Sequence, residues 1–293
     1  MSAKIIGLLA AWGAEDWIEQ CLKQMVEFCD EIFINVSPHS ANMKQFEDKT
    51  YEIAKEFIKS NKIVQYVDIE SVDLIHHSTS KAWIFNSMLD KSKLFKAGNW
   101  IWTFDVDEFY VDTTCRAIKE IIETHGLNFN QVSFNEKYFY IDTKHYLKGN
   151  HYRLFKIEEH NLEKNNRFIP TQKWAGMEKR ILSIPIELGM FHYSMLMNPW
   201  AKAEFWKTEY EDKSQANKVI WLERIYKDYD LLNEPYWVSK NEELFGIKSP
   251  WFARDFTPKE DGTLFIYNGK HPKFIEDTNL LIEPDFRRRY NFK

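Results

Sequence analysis

The chain is short of several things that would assign it at once. It has three cysteines, Cys21, Cys29 and Cys115. An odd number without Cys-x-x-Cys spacing argues against a disulfide framework or a zinc ribbon. Cys21 and Cys115 fall on the apolar faces of expected helices, where a thiol is ordinarily buried. There is no apolar run long enough to span a bilayer. The stretch Ile5 to Trp12 is too short, and acidic residues follow it directly. Nor is there a basic excess. Lys and Arg total 39 against 44 Asp and Glu, a net charge of −5 with neutral histidines, so nucleic-acid binding is not the expected main activity. The single dense basic run, Arg287 to Arg289, reads as a solvated tail. No internal repeat, low-complexity tract or clean linker interrupts the chain. The expectation is a reduced, cytoplasmic protein without a transmembrane segment, still able to sit peripherally at a membrane through a partner or an exposed aromatic face.

What is present is a globular composition. Of the 293 residues 44% are hydrophobic, enough for a sizeable core in one large domain or two small ones. Aromatics reach 16%, including 11 Trp. Two readings follow: a core packed with large rings, or a surface that stacks on sugars or bases.

The first half alternates. Ile5 to Ala11 reads as a buried strand, and Glu15 to Phe28 carries apolar residues at helical spacing, Trp17, Ile18, Cys21, Leu22, Met25 and Val26. Ile32 to Val36 is a second strand. Phe46, Ile53, Ala54, Phe57 and Ile58 mark a second helix. Ile63 to Val67 is a third strand, Ser80 to Phe95 a third helix with Ser80 as its cap, and Trp100 to Phe104 a fourth strand. This rhythm predicts an α/β fold, a mostly parallel sheet flanked by helices. The second half is less regular. Thr114 to Thr124 reads as a helix. Gln131 to Asn135, Tyr138 to Asp142, Tyr152 to Lys156, Lys179 to Ile184 and Met190 to Ser194 read as strands, and Glu158 to Asn166 as a charged loop. Trp200 to Asp230 turns helical and aromatic. The expected organisation is a domain over residues 1–199, in halves 1–110 and 111–199. A mainly helical or irregular extension, 200–293, packs on the same unit.

The segment "WIWTFDVDEFY", Trp100 to Tyr110, carries the chemistry. An apolar strand runs into Asp105, Asp107 and Glu108. In α/β sheets ligands bind beyond the carboxyl ends of the strands, which is where these acids lie. Carboxylates this close repel each other and resist burial, so something positive is required beside them. A divalent cation is the economical choice. Mg²⁺ and Mn²⁺ take carboxylate oxygens and often bridge a protein to a substrate diphosphate. The plainer reading is three solvated turn residues after a strand.

The same segment resembles the acidic motif Asp-x-Asp-Glu-Phe of nucleotide-sugar glycosyltransferases of the GT-A fold, most closely a broad family 2-like group. The opening "IIGLLAAWGAEDWIEQCLKQM" resembles that group's first strand and helix. There Ala14 precedes Glu15 where Asn is usual. "SKAWIFNSMLDKSKLFKAGNWIWTFDVDE" resembles the helix that delivers a basic residue and an Asn, here Lys81 and Asn86. "HYRLFK", "KWAGMEKR" and "MFHYSM" follow in the group's order. The resemblance spans roughly residues 4–210. It implies a Rossmann-like GT-A fold, a nucleoside diphosphate sugar as donor, and Mn²⁺ or Mg²⁺. It places Asp105 near the donor ribose and the metal, and Asp107 and His192 on the metal, with Lys81, Asn35 and Asn86 lining the donor site. After the second strand the group commonly carries an acid; "INVSPHS" offers Asn35 instead, which leaves the donor open. Glu178 in "WAGMEKR" is the candidate base of an inverting reaction, with Glu136 and Asp142 behind it; Trp174 is a candidate sugar platform. The acceptor is a hydroxyl on a glycan, lipid-linked or protein partner.

Three other readings stand beside this one, among them a degenerate transferase that keeps the fold without turnover, against which the presence of all three acids and His192 argues. A metal-dependent phosphohydrolase also uses Asp-x-Asp after a strand, but it wants Thr or Val where Phe109 stands, and the motif on the first strand. A non-catalytic carbohydrate-binding protein would suit the aromatic excess but has no need of a diphosphate-binding metal. Loss of an activity in Asp107→Ala separates the transferase from the binding module.

Overall fold

The structure, a computed structural model, describes residues 2–37, 48–69, 77–126, 128–139, 143–169, 173–174, 179–193, 196, 220, 239–240, 242–244, 246, 265–276 and 278. The expected helical stretch 200–230 lies almost wholly outside them, as do Glu178 and Asp142.

Alternation of strand and helix governs the first half. Strand β1 (Ile5–Ala11) leads to α1 (Ile18–Phe28), β2 (Glu31–Val36), α2 (Thr50–Ser60), β3 (Val64–Tyr66), α3 (His77–Leu89) and β4 (Trp100–Phe104). All four strands pair in parallel, in the order β3-β2-β1-β4. Their side chains divide by period two. Ile5, Leu9 and Ala11 of β1 enter a core cluster on one face of the sheet, and Ile6, Leu8 and Ala10 enter a second cluster on the other. Helix α1 covers the first face with Ile18, Cys21, Leu22, Met25 and Phe28, spaced three or four apart. Helix α3 covers the second face with Ala82, Ile84, Phe85, Met88 and Leu89. Gly13, at φ 61°, makes the left-handed turn between β1 and α1 that a side chain would resist.

The second half adds antiparallel strands. Strand β5 (Glu108–Tyr110) follows the acidic turn, then α4 (Asp112–His125), β6 (Gln131–Phe139) and β7 (His145–Lys156). Short pieces follow: β8 (Phe168–Ile169), β9 (Lys173–Trp174), β10 (Ile181–Ile184) and β11 (Met190–His192). The large sheet runs β3-β2-β1-β4-β7-β6-β11-β5. Strand β7 is antiparallel to β4 and β6, while β10 and β11 run parallel to β6 one after the other along its far edge. Strand β12 (Phe265–Ile266) pairs with β7, and α5 (Lys273–Glu276) buries Phe274 and Ile275.

Several boundaries differ from expectation. Ser80 does not cap α3, which starts earlier, at His77. The helix stops at Leu89, not Phe95. Lys91 and Ser92 donate back to Met88 and Leu89 in a tighter turn, and Gly98 at φ 89° redirects the chain into β4. The stretch 131–139 is one strand rather than part of two. The loop 158–166 holds two short 3₁₀ turns. Among the described residues no helix is long and apolar enough to cross a membrane. Trp17, Trp100 and Trp102 are buried, which favours the core reading of the aromatic excess; Trp83 on α3 is exposed.

Candidate active site

The acidic turn lies where β4 ends, at the carboxyl edge of the parallel strands. Trp102 and Phe104 anchor the strand beneath it, stacked on each other at 5.2 Å, with Trp102 also stacked on Phe134. Beyond Phe104 the chain turns, with the Glu108 amide donating to the Asp105 carbonyl at 3.1 Å. It then re-enters the sheet as β5 at the opposite edge. Gln24 of α1 secures this second entry. Its amide nitrogen donates to the Glu108 carbonyl at 3.1 Å, and its oxygen accepts the Tyr110 amide at 2.7 Å. A buried glutamine on an otherwise apolar helix face is thereby satisfied.

The positive charge that the carboxylates demand comes first from the protein. Arg153 of β7 reaches Asp105 Oδ2 with Nη2 at 2.6 Å, and the same nitrogen pairs with Glu108 Oε1. Lys81 of α3 pairs with Asp105 Oδ1. Both cations and Glu108 are buried. Burial alone would raise the Asp105 carboxyl, but Arg153 and Lys81 hold it well below the usual carboxylate range. For Glu108 burial wins, and its carboxyl is raised despite Arg153. Arg153 was not among the residues expected at the site. Its signal was an arginine set among the aromatic and apolar residues of "HYRLFK", sharing a strand face with His151.

Asp107 and His192 meet across the β5–β11 pair. In that ladder His192 lies opposite Glu108, and the Tyr193 amide donates to the Asp107 carbonyl at 2.9 Å. This register sets His192 Nε2 3.7 Å from Asp107 Oδ1. On the other side of the ring, Nδ1 lies 2.9 Å from Glu136 Oε2. Tyr138 packs edge-on against the imidazole at 4.8 Å. Burial works against an imidazolium here, but Asp107 and Glu136 overcome it and lift His192 to about 9. Glu136 is buried too, yet His151 and His192 hold its carboxyl well below the usual range. His151 Nδ1 stands 3.1 Å from the same Oε2.

Four carboxylates, Asp105, Asp107, Glu108 and Glu136, face two permanent cations, Lys81 and Arg153. With neutral histidines the cluster carries an excess of two negative charges. A divalent cation fits this imbalance. The separation of 3.7 Å exceeds a hydrogen bond, yet it lets both atoms touch one ion at about 2.0–2.2 Å. An Nδ1–H donated to Glu136 leaves Nε2 as a lone pair facing Asp107, the usual arrangement for a ligating histidine. Among the described residues, Glu108, His151 and His192 also bring ligating atoms within 4.8 Å of one another. Asp105 has both oxygens committed to Lys81 and Arg153.

Asn35 and Asn86 are engaged with other groups. Asn35 is fully buried at the end of β2. Its amide donates to the Val67 carbonyl at 3.0 Å and its oxygen accepts from Ser37 at 2.5 Å. The Asn86 amide is taken at both ends by the Phe168 backbone, at 2.8 and 3.1 Å. The backbone at Trp174 belongs to β9, paired with β8.

Comparison with known proteins gives little. No protein-family model matches the chain, and no curated protein matches it. Solved structures of glucosyl-3-phosphoglycerate synthase from Mycobacterium tuberculosis are similar in part. One holds phosphoglyceric acid, and the match has a TM-score of 0.30 at 17% identity, covering 47% of this chain and 44% of that one. Others hold Mn²⁺, UDP and glucosyl-3-phosphoglycerate, or Mg²⁺ and UDP, each with a TM-score of 0.29 at the same identity and coverage. The chain thus matches less than half the length of that enzyme.

Proposed function

We propose that this protein is a metal-dependent glycosyltransferase of GT-A type, family 2-like, moving a sugar from a nucleoside diphosphate sugar to an acceptor hydroxyl with inversion. The observation that carries the reading is the meeting of Asp107 and His192 at the carboxyl edge of a parallel α/β half, inside a cluster whose negative charge Lys81 and Arg153 only half cancel. Asp107 and His192 Nε2 would hold Mn²⁺ or Mg²⁺. Such an ion, when bound, supplies Lewis-acid stabilisation of the departing diphosphate.

The protein's own groups do the rest. Glu136 fixes the His192 ring and its tautomer. Lys81 and Arg153 hold Asp105 ionised and oriented, with its partly exposed carboxylate offered to the donor ribose. Asn35 shapes the base-binding edge through Val67 and Ser37, and Asn86 supports the donor side through its clasp on Phe168. Glu178 takes the proton of the acceptor hydroxyl as its oxygen bonds to the anomeric carbon and the bond to the diphosphate oxygen breaks.

The test is thermal shift of the purified protein with UDP, GDP, CDP and dTDP, each with Mn²⁺ or EDTA, on wild type and Asp107→Ala. A ligand that binds the native state raises the melting point by mass action. A metal-dependent rise with one nucleotide, lost in the variant, is the expected result and names the donor base. No rise with any nucleotide refutes an intact donor site.

A further inference from the structure

We infer that His151 is a second imidazole ligand of the cation proposed at Asp107 and His192, so that the ion is held by two nitrogens, one from β7 and one from β11. This rests on the reading of the site given above and extends it to a residue that the acidic motif does not contain.

Four observations lead there. First, ligating atoms of His151, His192 and Glu108 all lie within 4.8 Å of one another. Donors sharing one ion at about 2.0–2.3 Å are separated by up to about 4.5 Å, so small side-chain adjustments bring these three into one coordination sphere. Second, His151 Nδ1 is a buried nitrogen without an aligned hydrogen-bond partner, although 42% of the side chain is exposed. The ring therefore turns one edge to solvent and the other into the cluster. Third, Glu136 Oε2 lies 2.9 Å from His192 Nδ1 and 3.1 Å from His151 Nδ1. For His192 this is the carboxylate that usually stands behind a ligating imidazole's other nitrogen, whereas for His151 it stands beside the unaligned Nδ1, the nitrogen that faces the cluster. Fourth, the strand register makes room for that carboxylate. Glu136 lies opposite Gly149, and a Cβ at Gly149 would fall 2.1 Å from Glu136 Oε1. The missing side chain is what lets Glu136 lie between the two histidines.

Asp105 competes poorly for the same role, because Lys81 and Arg153 occupy both of its oxygens. A donor set of two imidazoles with carboxylate also has a consequence for selectivity. Nitrogen ligands favour Mn²⁺, Co²⁺ and Zn²⁺ over Mg²⁺, which prefers oxygen and retained water.

The experiment uses the full chain stripped of metal. Mn²⁺ binding is titrated by the loss of the free-ion electron paramagnetic resonance signal. Nitrogens bound to Mn²⁺ are counted by pulsed resonance on wild type, His151→Ala, His151→Gln, His192→Ala and Asp107→Ala, with circular dichroism reporting folding. Two imidazole couplings are expected in wild type and one in each folded His151 variant, with Mn²⁺ affinity about 10- to 100-fold weaker. Asp107→Ala should weaken binding while keeping both couplings. A His151 variant with wild-type affinity and an unchanged nitrogen count overturns the inference. If His192→Ala and Asp107→Ala still abolish or weaken binding in that case, the site reading survives without it. If none of the variants alters Mn²⁺ binding, or wild type binds none, the reading of the metal site falls as well.

Discussion

His192 allows a quantitative test of the site in the absence of metal. The His192 side chain is 9% exposed and lies between Asp107 and Glu136, and its pKa is lifted from 6.5 to about 9. A group whose pKa is raised on folding stabilises the native state while it is protonated. That contribution is fully present below the unfolded value near 6.5 and is lost as pH rises through about 9. The full gap corresponds to about 3 kcal/mol. Linkage gives about 3 kcal/mol at pH 6, about 2 at pH 7.5 and under about 0.5 at pH 9. The perturbation is His192→Gln, which keeps a polar side chain but cannot take up the proton. The assay is urea unfolding in EDTA from pH 6 to 10, comparing the two proteins at each pH. Groups that titrate alike in both proteins cancel in the difference. The stability advantage of wild type should shrink by about 3 kcal/mol across the range. A difference that stays level with pH would refute the imidazolium bridge and the geometry that creates it.

Further predictions concern the surrounding residues. Arg153→Met leaves Asp105 and Glu108 without their shared guanidinium and should destabilise the protein by about 3–5 kcal/mol at pH 7 in chemical denaturation. Because the Glu108 carboxyl is already raised, that loss should lessen as the pH is lowered and Glu108 takes up a proton. Gly149→Ala drives a Cβ into the Glu136 carboxylate, which is buried and held between His192 and His151, so the protein should be destabilised by about 1–3 kcal/mol and Mn²⁺ affinity measured by calorimetry should drop. Trp102→Ala removes a buried ring stacked between Phe104 and Phe134 and should cost about 3–5 kcal/mol by the same denaturation assay.

Much of the architecture was legible because it is local. Strand β1 and the span of β4 follow from short, predominantly apolar runs, and α1 from a three-and-four spacing that needs no knowledge of its partners. The apolar pattern runs past the end of α3, continuing beyond Leu89 while the backbone tightens into a turn. The strand at Glu108–Tyr110 was missed because three residues are too few for a periodic signal. It exists through its pairing with β11 and its two bonds to Gln24.

The sequence by itself determined that an α/β half ends in a concentration of carboxylates requiring positive charge. Adjacent acids after an apolar strand make that demand in any fold, since like charges cannot share a buried site uncompensated. Only the tertiary structure decided what answers it. Arg153 lies 48 residues from Asp105, and His192 lies 56 from Glu136, so their meeting depends on the register of β7 against β4 and of β11 between β5 and β6. Strand register is set by packing over whole faces of the sheet, and a slip of one residue would turn each of these side chains to the opposite side.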